Sequence, residues 1–378
     1  MFIHKSLDIT QKLEVLSQDA QYDLACSCAT SEDEHRRRSS DNKWIYPVTW
    51  ASGKKTFLFK TLLSNICSNN CLYCPLRKTQ DRALRLNLEP FEIAKTFFQL
   101  LSKKRVSGLF LSSGVLGTAD RTMEKINSSA QIIRQSGFRG YVHLKVIPGS
   151  SENAIRKALS LATAVSVNIE VPRSEDFNLI AQDKDFSKDV LKSISYISSL
   201  RLQLPPSRRP HQTTQFIVGA SNETDSEIIS QAGYLYKQLK LNRIYFSSYQ
   251  RGSGDKSIPG EKSLVTNEQM LLREHRLYQS DWLIRKYGFD PSEIVFEKDG
   301  NLSLEYDPKE DWARKHPEFF PVNINKADEL SLLRVPGLGD ISVQRIIQIR
   351  KNKSRITSLS MIGKTGKRLK KAEKYICF

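Results

Sequence analysis

Short runs in which apolar and polar residues alternate recur through the middle of the chain. They predict β-strands near residues 106–112, 141–147, 165–171, 213–218 and 243–249. Apolar residues at helical spacing between these runs predict α-helices over 92–101, 122–135, 152–162, 188–200 and 226–239. With the apolar run at 56–59 counted as a further strand, six strands are joined by crossover helices. Such repetition is typical of a parallel sheet.

Polar residues share one face in three of the predicted strands. They are His143 and Lys145 in one strand, Ser166, Asn168 and Glu170 in a second, and Tyr245, Ser247 and Tyr249 in a third. A doubly wound sheet buries both faces of its strands and therefore needs strands that are apolar throughout. The alternation instead predicts an α/β fold whose strands form a barrel, with a polar lumen and with helices around the outside.

Further segments flank this predicted barrel. Residues 1–25 have the spacing of an amphipathic helix, 26–42 read as a charged loop, and 266–287 predict a long amphipathic helix. We therefore predict four parts: an N-terminal helix and loop (1–55), the barrel (56–265), a helical connecting segment (266–320) and a small C-terminal domain (321–378).

Three of the six cysteines, Cys67, Cys71 and Cys74, are separated by three and two residues. Thiolates are soft ligands suited to iron–sulfur clusters or zinc, and this spacing lets one short loop place three sulfurs around a cubane. Ferredoxin-type clusters take four cysteines, so a cluster held by three keeps one iron open for a substrate or cofactor. A structural zinc site with a further ligand, or cysteines that merely lie close together, are the alternatives. A role for Cys26 and Cys28 is left open.

The pattern Cys-x3-Cys-x2-Cys, with the aromatic residue Tyr73 just before its last cysteine, resembles the signature of radical S-adenosylmethionine (SAM) enzymes. The resemblance implies a partial (β/α)6 barrel and a [4Fe-4S] cluster on the three cysteines, with SAM bound at the open iron. In that family, cleavage of SAM gives a 5′-deoxyadenosyl radical, which takes a hydrogen atom from the substrate.

The resemblance also implies roles for residues near the ends of the predicted strands. Ser112-Ser113-Gly114 stands where the family has Gly-Gly-Glu, and Gly219 lies in a stretch that resembles the motif packed against adenine. The residues expected to bind SAM are Tyr73, Ser112, Ser113, Gly114, Glu170 and Gly219. The lumen residues that are candidates for contact with substrate are His143, Lys145, Tyr245 and Tyr249.

The formal net charge of +17 and the isoelectric point near 9.5 favour a polyanionic partner, with nucleic acid as the first candidate. Residues 321–378 carry 13 Lys and Arg against 4 Asp and Glu, or +9, while the first 320 residues carry +8. No run reaches the 18 or so apolar residues of a membrane span. Because the N-terminus also lacks a signal-peptide pattern, the sequence predicts a cytoplasmic protein.

The basic C-terminal domain contains the turn Pro336-Gly337-Leu338-Gly339 between two predicted helices, the second over 341–350. This arrangement resembles a helix-hairpin-helix motif, in which glycines let a phosphate approach backbone N–H groups at a helix N-terminus. Residues 361–371 look like a degenerate second copy, and two such units usually grip a duplex without reading its sequence. The expected DNA contacts are Gly337, Gly339, Arg345, Lys364, Lys367 and Lys370. A domain that only packs is the alternative.

Taken over nearly its whole length, the chain resembles a family of radical SAM proteins associated with DNA modification or repair. The resemblance implies duplex DNA as a partner, an electron donor such as flavodoxin or ferredoxin, and a uracil-DNA-glycosylase-like protein. Two alternatives stay open. One is an enzyme that modifies structured RNA, because basic charge does not distinguish the two polymers. The other is a DNA-binding protein whose cluster is only structural.

Overall fold

A computed structural model describes residues 7–23, 44–49, 53, 55–81, 84–363 and 366–378. Cys26, Cys28 and Lys364 lie outside the described residues. The chain divides into two compact units, one of Met1–Glu223 with Tyr234–Glu274 and one of Thr224–Gly233 with His275–Phe378. The second unit takes in most of the predicted connecting segment and all of the predicted C-terminal domain. The four predicted boundaries stay predictions.

A seven-stranded sheet lies at the centre of the first unit, and its strands follow one another in chain order. They are β1 (Ile45–Thr49), β2 (Lys55–Leu62), β3 (Gly108–Ser112), β4 (Tyr141–Lys145), β5 (Ala164–Ser166), β6 (His211–Val218) and β7 (Arg243–Ser248). β1 pairs antiparallel with β2, and every later pair is parallel. The six predicted parallel strands are therefore confirmed, and β1 is an addition. β5 is shorter than the predicted 165–171, because beyond Ser166 the Thr214 hydroxyl replaces the backbone ladder: it donates to Val167 O at 2.7 Å and accepts from the Ile169 N–H at 2.9 Å.

Helices connect the parallel strands, as predicted, with shifted ends. In chain order the helices are α1 (Ile9–Asp19), α2 (Pro90–Ser102), α3 (Ala119–Gln135), α4 (Glu152–Leu161), α5 (Ser174–Ile180), α6 (Lys192–Leu202), α7 (Asp225–Lys237), α8 (Pro259–Lys262), α9 (Asn267–Lys286), α10 (Pro308–Lys315), α11 (Glu329–Arg334), α12 (Asp340–Lys351) and α13 (Lys367–Lys371). α2 begins earlier than predicted because Glu89 forms a capping box with Glu92 and a proline suits the first helical position. α6 begins later because Phe186–Leu191 forms a π-helical turn.

The inner face of the sheet is polar and the outer face is apolar. Leu62, Ser112, Lys145, Gln215 and Ser247, each near the end of a different parallel strand, line a single cavity. Side chains from five strands can share one cavity only if the sheet curves around it, as in a partial barrel. On the opposite face, side chains such as Leu109 and Val142 are fully buried. The predicted polar lumen is confirmed.

The second unit has an apolar core of its own, formed mainly by residues between Val322 and Ile376. The short strands β8 (Val322–Asn323) and β9 (Ile376–Cys377) pair in parallel within it. A five-residue turn separates α11 from α12, which agrees with the predicted helix, turn and second helix. Across the described part of the chain, no helix combines the length and apolarity needed to cross a bilayer.

Candidate functional site

The three predicted cysteine ligands lie in the loop that follows β2, and all three line the cavity at the carboxyl ends of the strands. Cys71 is buried, and Cys67 and Cys74 are half-buried. The backbone N–H of Val115 donates to Cys67 Sγ at 3.5 Å, and that of Leu76 donates to Cys74 Sγ at 3.4 Å. Hydrogen bonds of this kind stabilise sulfur atoms that carry negative charge in a metal centre.

Burial raises the pKa of the Cys74 thiol to about 12 and also raises the pKa of Cys71. Both side chains are therefore protonated at neutral pH until a metal displaces the proton. Lys184, in the loop between α5 and α6, hydrogen-bonds to Cys71. Burial would lower the pKa of Lys184, but the thiols and Glu170 raise it, so the ammonium stays charged. This positive charge lies where a cluster bound to thiolates would be negative.

Zinc and an iron–sulfur cluster need different ligands from the protein. A structural zinc ion needs four ligands around one centre, with sulfur atoms about 2.3 Å from it. A cubane cluster with one iron left open needs three cysteines, each on a different iron. Cys67, Cys71 and Cys74 are the cysteines that line the cavity among the described residues, so three thiols are available there.

Arg85 holds the two ends of the cysteine loop together. Its guanidinium donates to four backbone carbonyl oxygens, those of Asn65 at 2.7 Å, Leu76 at 2.8 Å, Arg77 at 2.8 Å and Gln80 at 3.0 Å. Arginine has five donors in a rigid fork, so it can fix several carbonyls at once where lysine cannot. Arg85 was not predicted from the sequence, since no local pattern marks it.

Arg77 connects the cysteine loop to the segment after β7. Its guanidinium donates to the carbonyls of Cys74 at 3.1 Å, Ser253 at 3.2 Å and Gly254 at 3.3 Å. The backbone N–H of Asp255 also donates to Leu72 O at 2.7 Å. The segment after β7 therefore covers one side of the cysteine loop, and Ser253 lines the cavity with it.

Glu170 combines three unusual features at the cavity wall. Its φ of +66° is strained for a residue with a long side chain, at a cost of about 1–3 kcal/mol. The side chain is buried, and its carboxylate accepts a hydrogen bond from Tyr73 Oη at 2.8 Å. Burial raises the pKa of Glu170, while the charges of Lys145 and Lys184 oppose that shift. Strain of this kind persists where the surroundings impose it, which is common at functional sites.

Of the other residues expected to bind SAM, Ser112, Ser113 and Gly114 line the cavity. Gly114 needs to be glycine, because a Cβ there would lie 2.4 Å from the carbonyl oxygen of Ile66, next to Cys67. Gly219 begins the loop after β6, with φ +84°, and its N–H donates to the Glu223 carboxylate. Ile217, two residues earlier, lines the cavity, but Gly219 is not among the residues that line it.

The four substrate candidates occupy different depths of the lumen. Lys145 and Tyr249 line the main cavity, and Tyr245 lines a smaller one beside it. His143 is buried, and its ring nitrogens lie 2.9 Å from Ser166 Oγ and 3.3 Å from Tyr141 Oη. Tyr249 Oη donates to Glu261 at 2.5 Å.

The residues expected to contact DNA lie in the second unit. Gly337 has φ +89°, and a Cβ there would lie 2.3 Å from the carbonyl oxygen of Arg368. Gly339 caps α12 in extended conformation, and a Cβ there would meet only Tyr287 Oη at 3.4 Å. The Arg345 guanidinium donates to Ile362 O at 3.1 Å. Lys367 and Lys370 lie exposed on α13.

No family model and no curated protein matches this chain. Solved structures similar to it include the FeFe-hydrogenase maturase HydG from Carboxydothermus hydrogenoformans, with 15% identity, a TM-score of 0.45, and coverage of 58% of this chain and 50% of that one. Methylornithine synthase (PylB) has 15% identity, a TM-score of 0.43, and coverage of 59% and 62%. Coproporphyrinogen III oxidase (HemN) from Escherichia coli, described as a radical SAM enzyme, has 14% identity, a TM-score of 0.36, and coverage of 57% and 50%.

The chain thus spans about half to three fifths of the length of these proteins. With identities of 15% or less and TM-scores below 0.5, the likenesses carry no functional argument. The function has to be inferred from the site itself.

Proposed function

We propose that this protein is a radical SAM enzyme whose Cys67, Cys71 and Cys74 hold a [4Fe-4S] cluster. The observation that carries the proposal is that these three cysteines line one cavity at the carboxyl ends of the strands, together with Lys184, which hydrogen-bonds to Cys71. When bound, the cluster and SAM would supply a radical able to remove a hydrogen atom from a substrate.

The residues around the cavity suit the second cofactor. Glu170, held in place by Tyr73, presents a carboxylate that can accept hydrogen bonds from the amine or ribose hydroxyls of SAM. Ser112, Ser113 and Gly114 bring backbone to the same cavity wall, close to the cysteine loop. Gly219 is proposed to support the adenine side through the loop after β6.

The test is anaerobic reconstitution of the wild type and of the variant with Cys67, Cys71 and Cys74 all changed to Ala. We expect about four iron per wild-type chain and reductant-dependent formation of 5′-deoxyadenosine, and we expect the variant to lose both because its thiolate ligands are gone. Cys377→Ala is the matched control, since Cys377 lies in β9 of the other unit. Stoichiometric zinc in place of iron would overturn the proposal. Iron without SAM cleavage would favour the structural-cluster alternative.

We further propose that the substrate is nucleic acid, with duplex DNA as the first candidate for modification or repair. The charge of +9 on residues 321–378 supports this. So does the glycine turn before α12, since the first N–H groups of a helix have no partner within it and attract phosphate. An electron donor such as flavodoxin or ferredoxin and a uracil-DNA-glycosylase-like partner are proposed from the sequence resemblance alone.

The two turn glycines offer unequal tests of this proposal. A side chain at Gly337 would collide with the protein's own backbone, so loss of binding there could reflect misfolding. Gly339→Ala fits sterically and should weaken binding alike for all duplex sequences, because phosphate contacts carry no base information.

Salt dependence gives a second, independent measurement. Lys367→Ala with Lys370→Ala should flatten the slope of log K against log salt by about 0.9 for each phosphate that the variant no longer neutralises. Lys315→Ala, at an exposed position of α10, is the matched control and should leave the slope unchanged. If the Gly339 and lysine variants bind duplex DNA like the wild type, the DNA proposal fails. Equal or tighter binding of structured RNA would favour the RNA alternative.

A further inference from the structure

Lys184 lies next to the cysteine loop because its own segment pairs with that loop. Cys71 and Ala181 form an antiparallel bridge, and the backbone N–H of Leu72 donates to Ile180 O at 2.7 Å. These contacts join the two segments through their main chains. The backbone that carries Lys184 is therefore fixed beside Cys71 independently of the lysine side chain.

The residue before Lys184 strengthens the same junction. The Asp183 carboxylate accepts a hydrogen bond from the Asn70 N–H at 2.8 Å and one from the Lys78 ammonium at 3.2 Å. Asn70 precedes the second cysteine of the loop, and Lys78 follows the third. The segment that carries Lys184 is thus held at several points along the cysteine loop.

The side chain of Lys184 reaches the cavity from this junction. It is half-buried, lines the cavity together with the three cysteines, and hydrogen-bonds to Cys71. Burial raises the pKa of the Cys71 thiol and the Lys184 charge opposes that shift, and the same two effects act on Cys74. One ammonium therefore acts on two of the three proposed iron ligands.

A positive charge at this place has a consequence for electron transfer. Cluster reduction potentials are set by net charge, by hydrogen bonds to sulfur and by solvent exposure. Lys184 supplies a positive charge and an N–H donor at Cys71. Because a reduced cluster carries one more negative charge than an oxidised one, the ammonium stabilises the reduced form more.

We propose that Lys184 raises the reduction potential of the cluster, so that a donor such as flavodoxin or ferredoxin can pass one electron to it. The inference rests on the proposed [4Fe-4S] cluster. Glu170 acts in the opposite direction, since its carboxylate lines the same cavity and disfavours negative charge on the same Cys71 sulfur. The potential thus depends on a balance between two opposite charges on one cavity wall.

The experiment is an anaerobic redox titration of reconstituted protein without SAM, in which electron paramagnetic resonance measures the fraction of reduced cluster. The variants are Lys184→Met, which removes the charge, Lys184→Arg, which keeps it, and Glu170→Gln, which removes the opposite charge. Lys188→Met is the matched control, because the Lys188 side chain lies in the following π-helical turn and is 84% exposed.

Lys184→Met should lower the ratio of reduced to oxidised cluster at least tenfold at a fixed potential, because a charge a few ångströms away at a partly buried site has an effect of that size. Tenfold corresponds to a fall of about 59 mV in midpoint potential. Lys184→Arg and Lys188→Met should stay within about threefold of the wild type, since neither removes the charge beside the cluster. Glu170→Gln should shift the ratio the other way. A loosened site would instead move Lys184→Met and Glu170→Gln in the same direction.

A wild-type potential in Lys184→Met with its iron retained would overturn the inference while leaving the proposed function intact. Weaker SAM binding by that variant at an unchanged potential would also overturn it, in favour of a contact between Lys184 and SAM. If Lys184→Met retains no iron, Lys184→Gln is measured in its place. Its amide can donate to sulfur but carries no charge, so its potential should fall, and an unchanged potential would overturn the inference. A wild type that gives no iron and no signal of a reduced cluster would instead overturn the proposed function.

Discussion

His143 should make the first unit lose stability in acid. The imidazole is 3% exposed, and burial, with the nearby Lys145 charge, lowers its pKa from 6.5 to about 3. The imidazole is therefore protonated below about pH 6.5 in the unfolded chain but only below about pH 3 in the folded chain. Because the unfolded state binds more protons, the free energy of unfolding falls as pH decreases between these values.

The size of the effect follows from the two pKa values of His143, 6.5 and about 3. Between pH 7.5 and pH 4.5 the histidine alone should remove about 2.7 kcal/mol, at about 1.4 kcal/mol per pH unit below its unfolded pKa. His143→Gln keeps a polar side chain beside Ser166 and Tyr141 but cannot titrate. The variant should lack this part of the acid sensitivity.

The assay is urea unfolding of apoprotein at pH 7.5, 6.0 and 4.5, for wild type and His143→Gln. Apoprotein avoids any contribution from acid loss of a cluster, and other titrating groups cancel in the difference between the two proteins. The difference in free energy of unfolding should change by about 2.7 kcal/mol over this range. A change below about 0.5 kcal/mol, within the usual error of extrapolation, would refute the reasoning.

Three further predictions concern other charged side chains. Arg85→Lys should lose at least two of the four hydrogen bonds to backbone carbonyls, which lowers the free energy of unfolding by about 3 kcal/mol and reduces iron retention on gel filtration. The control Arg121→Lys, on an exposed helix surface, should change neither the stability nor the iron retention. Glu170→Gln keeps a partner for Tyr73 but removes the charge, so SAM affinity measured by equilibrium dialysis should fall about tenfold while iron content stays the same. Burial lowers the pKa of Lys309 to about 7, so between pH 7.5 and pH 9.5 the unfolded chain holds a proton that the folded chain has lost. Relative to Lys309→Met, the second unit should therefore be about 2.5 kcal/mol more stable at pH 9.5 than at pH 7.5. Equal pH dependence of unfolding in the two proteins would contradict this.

The parts of the site that could be predicted from the sequence are those that depend on the spacing of residues close together in the chain. The cysteine spacing is contained in eight residues, and the polar faces of the strands follow from a period of two. For this reason the lumen positions of Lys145, Asn168 and Glu170 are confirmed. The positive φ of Glu170 could not be predicted, since glutamate rarely adopts that conformation and the neighbouring residues do not form a recognisable turn motif.

The parts that could not be predicted depend on contacts between distant segments. Asp23 and Lys145 are 122 positions apart, and Asn65 meets Asp19 at a separation of 46. Lys184 reaches Cys71 from a loop between two helices. A charged residue in a polar stretch usually faces solvent, so Asp23 and Lys184 would be assigned to the surface from sequence alone.

Contacts between distant segments also bear on how the proposed cluster would form. A structural zinc site usually folds only with its metal, because no preformed site exists without it. Here Arg85 fixes four carbonyls of the cysteine loop, and Arg77 ties that loop to the segment after β7. The loop therefore owes its shape to protein contacts made outside the thiol side chains. It follows that loss of the proposed cluster should leave the barrel folded and the three thiols in place, able to bind a cluster again.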